Sequence, residues 1–398
     1  MRPLLFSLLF FFFFEGHGDH RDLHRVDRRQ RQMCIRDRHI YAGSWSKGLM
    51  EFNNRELVTV YSKYNSPLEG FVADLNRVFI SGLAFDSKNN LWVANSGASS
   101  ILHCRKPDGS WQSYNLGGNA SGLDIGEMVI DDYDQKWILM RKEHSILVFN
   151  ETITEGKPYK ILGSATGEGA IPGNTVLSIA VDLDGEIWIG TDAGVAVFYS
   201  PDAVFSGNNF DAQRILVEQD GYVQYLLENE SVTTIAIDGA NRKWIGTDKA
   251  GVFLLSTDGT QQIYHFTEDN SPLLSNSVAD IAIGKDGEVF IGTSLGIVGF
   301  RGDSPSPGPP SDEVYAFPNP VRPSYDGPIG ISGLPQNADV KITTISGKLV
   351  YHTVAAGTQA VWNGRDFDGR RVQSGVYLVF VSNEDGSEKL ITKILFIH

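Results

Sequence analysis

One template recurs along most of this chain: an apolar strand, an Asp-containing turn, an aromatic strand, a Gly turn and a second apolar strand. Residues 176–198 read VLSIAVDLDGEIWIGTDAGVAVF, residues 232–255 VTTIAIDGANRKWIGTDKAGVFLL, and residues 278–300 VADIAIGKDGEVFIGTSLGIVGF. Residues 80–102 are a looser copy. Residues 128–149 keep Trp137 but carry Leu139-Met140 in place of Gly-Thr, and residues 40–52 supply only the second half of a unit. The aligned positions Tyr41, Trp92, Trp137, Trp188, Trp244 and Phe290 lie 51, 45, 51, 56 and 46 residues apart. Each unit holds about three alternating strands and a less regular fourth, such as Gln262–Phe266. A four-stranded sheet cannot bury both faces alone, so it stacks on its neighbours, and this period with four strands is that of a β-propeller blade. Trp92, Trp137, Trp188, Trp244 and Phe290 are then expected to fill the space between blades. Gly190, Gly246 and Gly292 mark places where that packing leaves no room for a side chain.

Composition agrees with this reading. The 42 glycines and the near absence of helical patterning favour turn-rich β structure. With 34 Lys+Arg against 48 Asp+Glu, the formal charge of −14 argues against a nucleic-acid partner, which would need a basic footprint.

The first 38 residues stand apart. An apolar run over residues 4–14, broken only by Ser7, is too short to cross a bilayer, and no small-residue cleavage site follows it. Reverse-translated, residues 18–24 and 28–37 match the two ends of a transposon-type sequencing-library adapter. We therefore expect residues 1–38 to be an adapter-derived, disordered leader, with His39 opening a truncated product. Setting the leader aside removes eight of the basic and five of the acidic residues, which deepens the negative balance. It also removes Cys34, leaving Cys104 as a lone packed strand residue. No segment of the rest is long and apolar enough for a transmembrane helix.

The propeller is expected over residues 39–301, with about six blades visible and the count left open because the first unit enters halfway. A Pro/Ser/Gly linker, residues 302–312 (GDSPSPGPPSD), precedes a separate β unit over residues 313–398. About seven short strands there, including a hairpin around Ser346-Gly347, suggest a small Ig-like sandwich. The expected fold class is all-β: propeller, then sandwich.

The repeat resembles the two-component-regulator propeller family, whose hallmark runs I-A-x-D, then G-x-I/L-W-I-G-T, then G-V. Residues 313–398 resemble the C-terminal sorting domains that route proteins through the type IX secretion system of Bacteroidetes. The carrying residues are Phe317-Pro318-Asn319-Pro320, Ile345-Ser346-Gly347-Lys348, Trp362-Asn363-Gly364-Arg365-Asp366, Asp368-Gly369, Ser374-Gly375-Val376-Tyr377-Leu378 and the last strand with Lys393. The sorting and docking motif expected from that resemblance comprises Trp362, Gly364, Gly369, Gly375, Tyr377 and Lys393. A final Lys is lacking, which leaves the sorting class open.

Propeller and domain together resemble the PorZ-like surface proteins of that system. The resemblance implies a secreted, non-enzymatic protein of the outer-membrane cell surface. Its implied partners are attachment-complex proteins including the sortase, and anionic lipopolysaccharide. No cofactor is implied. Two alternatives stay open: a glycan- or protein-binding propeller cargo sharing the sorting domain, and a propeller hydrolase or lyase. The enzyme would need a channel-facing cluster of His, Asp, Glu or Arg, where the first blade strands supply mainly Ser, Thr and Ala.

Motifs that suggest chemistry read mostly as turns. Asp182-Leu183-Asp184-Gly185-Glu186 lacks the further ligand spacing of a calcium loop and recurs as a hairpin turn at Asp286-Gly287; Asp366-Phe367-Asp368-Gly369 reads likewise. His39, His103, His144, His265, His352 and His398 show no ligand spacing and read as strand-surface residues. Trp111, Tyr114 and Tyr222 fall outside the repeat register and are candidates for exposure. Arg365, Arg370 and Arg371 read as a solvated turn. No catalytic, cofactor-binding or metal residue is assigned.

Overall fold

The computed structural model is all-β, with one short 3-10 turn, Pro201–Phe205, among the described residues. The structure describes residues 33–36, 39–54, 56–117, 122–141, 144–207, 209–219, 221–284, 287–301, 314–323, 325, 327–334, 338–355, 359–382 and 388–397. The linker, Asp286 and His398 lie outside them.

Six sheets follow one another along the first part of the chain as propeller blades. Blade 1 is β1 (Met33–Arg36), β2 (His39–Ser44), β3 (Gly48–Asn53) and β4 (Glu56–Tyr61). Blade 2 is β5 (Phe79–Phe85), β6 (Leu91–Ser96), β7 (Leu102–Arg105) and β8 (Trp111–Tyr114). Blade 3 is β9 (Ile125–Ile130), β10 (Lys136–Met140), β11 (Ser145–Phe149) and β12 (Tyr159–Leu162). Blade 4 is β13 (Val176–Val181), β14 (Ile187–Thr191), β15 (Gly194–Phe198) and β16 (Gln213–Arg214). A separate hairpin, β17 (Leu216–Gln219) with β18 (Tyr222–Tyr225), precedes blade 5: β19 (Val232–Ile237), β20 (Lys243–Thr247), β21 (Val252–Leu255) and β22 (Gln262–Phe266). Blade 6 has three strands among the described residues, β23 (Val278–Ile283), β24 (Glu288–Thr293) and β25 (Gly296–Arg301).

Strands in each blade pair in chain order, and first strands pack beside first strands: β5 beside β9, β9 beside β13, β13 beside β19, β19 beside β23. The apolar residues gather into five clusters, each shared by two adjacent blades. Burial on both faces explains why strands such as Gly194–Phe198 and Val252–Leu255 carry no polar side chain instead of alternating. At the Gly-Thr step of blade 4, a Cβ on Gly190 would lie 2.5 Å from Val232 Cγ1 of blade 5; one on Gly246 would lie 2.6 Å from Val278 Cγ1 of blade 6.

Three expectations are altered. Within the segment set aside as disordered, Met33–Arg36 forms the innermost strand of blade 1, with Cys34 opposite Tyr41 as Ala84 is opposite Trp92. An open blade edge accepts such a β-compatible stretch; the rest of residues 1–38 lies outside the described residues. His103 is buried, not on a strand surface: it lies on the face of β7 whose Arg105 meets Tyr41 and Tyr61 of blade 1. Tyr114 is not exposed: the end of the fourth strand turns it onto Trp92, ring centroids 5.0 Å apart. Trp111 is half-buried against Tyr61, and Tyr222 is exposed.

The C-terminal unit is a two-sheet sandwich. One sheet has the order β26 (Tyr315–Phe317), β27 (Ile329–Ser332), β30 (Gln359–Trp362); the other runs β29 (Leu349–Val354), β28 (Asp339–Thr344), β31 (Gly375–Ser382), β32 (Glu388–Phe396). Its core centres on Trp362, Tyr377 and Phe396, which meet edge to face at 5.3–5.6 Å.

Candidate functional site

The repeat builds a buried unit that the template only hinted at. In blades 2 to 5 the turn Asp and the Trp six residues later are joined by a hydrogen bond. Trp92 Nε1 donates to Asp86 (2.8 Å), Trp137 to Asp131 (2.9 Å), Trp188 to Asp182 (3.2 Å) and Trp244 to Asp238 (3.3 Å). The other oxygen of each carboxylate accepts two backbone N–H groups of the turn, as in Asp184 N and Glu186 N onto Asp182. All four indoles are buried. Blade 6 has Gly284 at the Asp position and Phe290 at the Trp position, so acceptor and donor are lost together; Phe290 is half-buried. The signal was present in the sequence as the spacing Asp-x5-Trp.

Successive blades are also stitched through polar groups. Lys243 is fully buried: its Nζ meets Asp182 Oδ2 of the preceding blade at 2.9 Å and the Asn241 carbonyl at 2.8 Å, bonds the Thr257 carbonyl, and stands 4.6 Å from the Trp188 ring centroid. Lys136 repeats this over Trp92 at 3.9 Å while paired with Glu151. Between hairpin turns, Ser87 bonds Asp134 of the next blade, and Asn241 Nδ2 donates to Asp184 at 2.8 Å.

The blade 1–blade 2 boundary departs from the apolar pattern. Glu51 stands where the other blades carry Cys104, Val148, Val197, Leu254 and Gly299 opposite the aromatic residue. It accepts hydrogen bonds from Tyr41 (2.9 Å) and Tyr61 (2.5 Å), bonds the His39 ring at 2.7 Å, and lies 3.7 Å from Arg105. Burial alone would raise its pKa; the hydrogen bonds from Tyr61, Tyr41 and His39, with the Arg105 charge, bring it below the ordinary value. Burial, with Glu51 alongside, pushes the Tyr41 hydroxyl well up. On the same face of blade 2, His103 Nδ1 bonds Ser113 Oγ at 2.8 Å, Nε2 has no partner among the described residues, and burial holds the ring's pKa at about 4.

Burial shifts further groups in the blades. Burial, with Asp182 close by, raises Glu186 to about 7; burial likewise raises Asp131, and lifts the free thiol of Cys104 to about 12. First-strand hydroxyls are engaged in protein bonds, Ser178 to the Val232 carbonyl and Thr234 to Asp280. Asp280, with Glu127, shows that these strands carry acids besides Ser, Thr and Ala. Among the described residues no cluster of three or more His, Cys, Asp or Glu could hold a metal ion, and no helix is long and apolar enough to cross a membrane.

In the sandwich, Trp362 Nε1 donates to the Arg365 carbonyl (2.8 Å) and Tyr377 OH to that of Gln373 (2.9 Å). Gly364 has φ +71° beneath Phe396, and Gly369 takes φ +75° in a turn capped by Asp366. Gly375 opens β31 with open space around it, and Lys393 is exposed on β32. Arg365 donates to the Gly369 carbonyl, Arg370 pairs with Asp368 in solvent, and Arg371 bonds the Tyr325 carbonyl. Asn319, which sequence reading placed in a motif without a role, binds the outer edge of β32 through Lys393 and Leu395.

Comparison with known proteins follows this division. The family of secretion system C-terminal sorting domains matches residues 315–396. PorZ, an essential surface component of the type IX secretion system of Porphyromonas gingivalis, superposes with a TM-score of 0.60 at 29% identity, covering 94% of this chain and 51% of its own. The chain thus spans about half the length of PorZ. The extracellular domain of a one-component system from B. thetaiotaomicron gives a TM-score of 0.47 at 13% identity, covering 94% of this chain and 50% of that one. Virginiamycin B lyase from Staphylococcus aureus gives 0.38 at 12%, covering 78% and 93%. No curated protein matches the sequence. The chain is thus similar to PorZ of the type IX secretion system over 94% of its length, and its residues 315–396 match the secretion-system C-terminal sorting domains.

Proposed function

We propose that this protein is a non-enzymatic surface component of the type IX secretion machinery. The propeller is a rigid binding scaffold and the sandwich serves export and docking. The observation that carries this is the joining, in one chain, of a matched sorting domain to a propeller similar to PorZ across nearly its whole length. The geometry is consistent with a frame: interblade polar groups are bonded to one another, and function is left to loops at the blade ends. The candidate partners are attachment-complex proteins, including the sortase, and anionic lipopolysaccharide; the site of action is the outer-membrane cell surface.

Deletion of the gene is expected to leave secreted cargo unprocessed and anionic lipopolysaccharide detached from the surface. The mature protein is expected to keep residues 315–396 and to co-purify with the sortase. Intact cargo processing in the deletion strain, with removal of residues 315–396 from the mature protein, would instead identify ordinary secreted cargo.

A further inference from the structure

Three blades converge on one ledge where second strands turn into third strands. Trp45 follows β2, Phe79 opens β5, and Arg141 follows β10. Trp45 and Phe79 lie 5.3 Å apart between ring centroids, and Phe71, in the connection from blade 1 to blade 2, lies 5.3 Å from Phe79. A guanidinium stands over each of these two rings: Arg141 is 5.1 Å from the Trp45 centroid and Arg77 4.8 Å from that of Phe79. Both arginines are exposed, and neither forms an ion pair with another described residue. Lys63 is held nearby on the Leu75 carbonyl (2.7 Å) and Asn76 (3.1 Å). The acids of the same connection are occupied by backbone N–H groups: Glu69 accepts from Ser99 and Ser100, and Asp74 from Asn76. Val72 and Leu75 are 54% and 63% exposed beside them.

A chain of net charge −14 here presents two exposed guanidinium groups that have no ion-pair partner among the described residues, braced on rings beside exposed aliphatic groups. Stacking holds a guanidinium in place without using its in-plane N–H donors, which match a carboxylate fork. We propose that the Arg77–Arg141 ledge is the docking site for an acidic, apolar-containing segment of a partner protein. A sugar would need an open ring face, whereas Phe79 is buried and an arginine stands over each ring; Val72, Leu75 and Phe71 instead offer the aliphatic and aromatic flank typical of a peptide interface. The inference rests on reading the propeller as a binding scaffold and specifies the face and the partner's chemistry.

The test is selection of displayed random twelve-residue peptides on the purified full chain, followed by fluorescence anisotropy with the recovered peptides and, separately, with polygalacturonate. The expected consensus alternates Asp or Glu with Leu or Phe. Its binding should weaken about tenfold in R77Q/R141Q, several-fold in Leu75→Ser, and with rising salt. All substituted side chains are exposed, and an unchanged melting temperature checks the fold. A neutral or basic consensus, binding indifferent to R77Q/R141Q, or binding of polygalacturonate alone would overturn the assignment. None of these outcomes depends on sortase co-purification or cargo processing, so the ledge and the wider reading fail separately.

Discussion

Asn319 and Leu395 are joined across 76 residues of chain: the Asn319 Oδ1 accepts the Leu395 N–H at 3.0 Å, and its Nδ2 donates to the Lys393 carbonyl at 2.7 Å. The side-chain amide thus serves as one residue of an added strand, and Val321 continues it through Val321 N to the Leu395 carbonyl and Ile397 N to the Val321 carbonyl. A bare edge on the last strand would invite pairing with another chain. Asn319→Ala should cost about 1–2 kcal/mol of sandwich stability and speed amide exchange at Leu395 and Ile397. Exchange rates equal to those of the unaltered protein would refute this.

The Asp182–Lys243 pair predicts a non-additive pair of substitutions. Asp182→Ala leaves a buried ammonium without its carboxylate and should destabilise by about 3–5 kcal/mol in urea titration. Adding Lys243→Met should recover part of that loss, because the orphaned charge leaves with it. Strictly additive losses would mean that the two groups are not energetically coupled.

At the blade 1–blade 2 boundary, Glu51→Gln should cost about 2–3 kcal/mol, since it weakens the acceptor of two tyrosines and uncompensates Arg105. The combined variant Tyr41→Trp, Glu51→Val, Arg105→Phe rebuilds the apolar arrangement seen at the same positions in blades 3 and 4. It should melt within a few degrees of the parent; melting as low as Glu51→Gln would show that the polar version is required by its surroundings.

His103 sets a pH dependence of definite sign. Folded, the buried ring protonates only near pH 4; unfolded, near its ordinary 6.5. Between these values the unfolded chain binds the extra proton, so stability falls on acidification through that window, by up to roughly 3 kcal/mol. His103→Leu, matching Leu147 at the same place in blade 3, should flatten this slope in denaturant titrations at pH 5 and 7.5.

Glu186 works in the opposite direction. Its folded pKa of about 7 exceeds the ordinary 4.5, so the folded chain holds the proton and stability declines as pH rises through that interval. The group is only half-buried, so Glu186→Gln should gain about 1–2 kcal/mol at pH 8 and change little at pH 4.5. A gain that is equal at both pH values would assign the effect to something other than ionisation.

The propeller was legible because its repeat is a packing requirement: an aromatic residue every 45–56 positions and a glycine where the next blade presses close. The Asp-x5-Trp bond was equally present in the string but reads as turn chemistry until the indole N–H is seen to point at it. Less legible were contacts between residues far apart in the chain. Nothing local to Glu51, Arg105 or Asn319 announces that they meet Tyr61, Tyr41 or Leu395, and Met33–Arg36 gained its strand from a vacant edge rather than from a motif of its own. The ledge of Arg77 and Arg141 was invisible for the same reason, since its two cations belong to different blades.

The direction of the stitching has a consequence for how such a chain acquires order. The repeat indole of each of blades 2 to 5 is covered from its successor: Trp92 by Phe149 and Lys136, Trp137 by Phe198, Trp188 by Lys243, Trp244 by Phe300. A polypeptide emerging amino end first therefore always trails one unfinished blade, its tryptophan bare on one side until about fifty more residues arrive. Maturation of the propeller is a travelling front, locked behind and adhesive ahead, and a pause in delivery leaves one sticky indole face waiting at its tip.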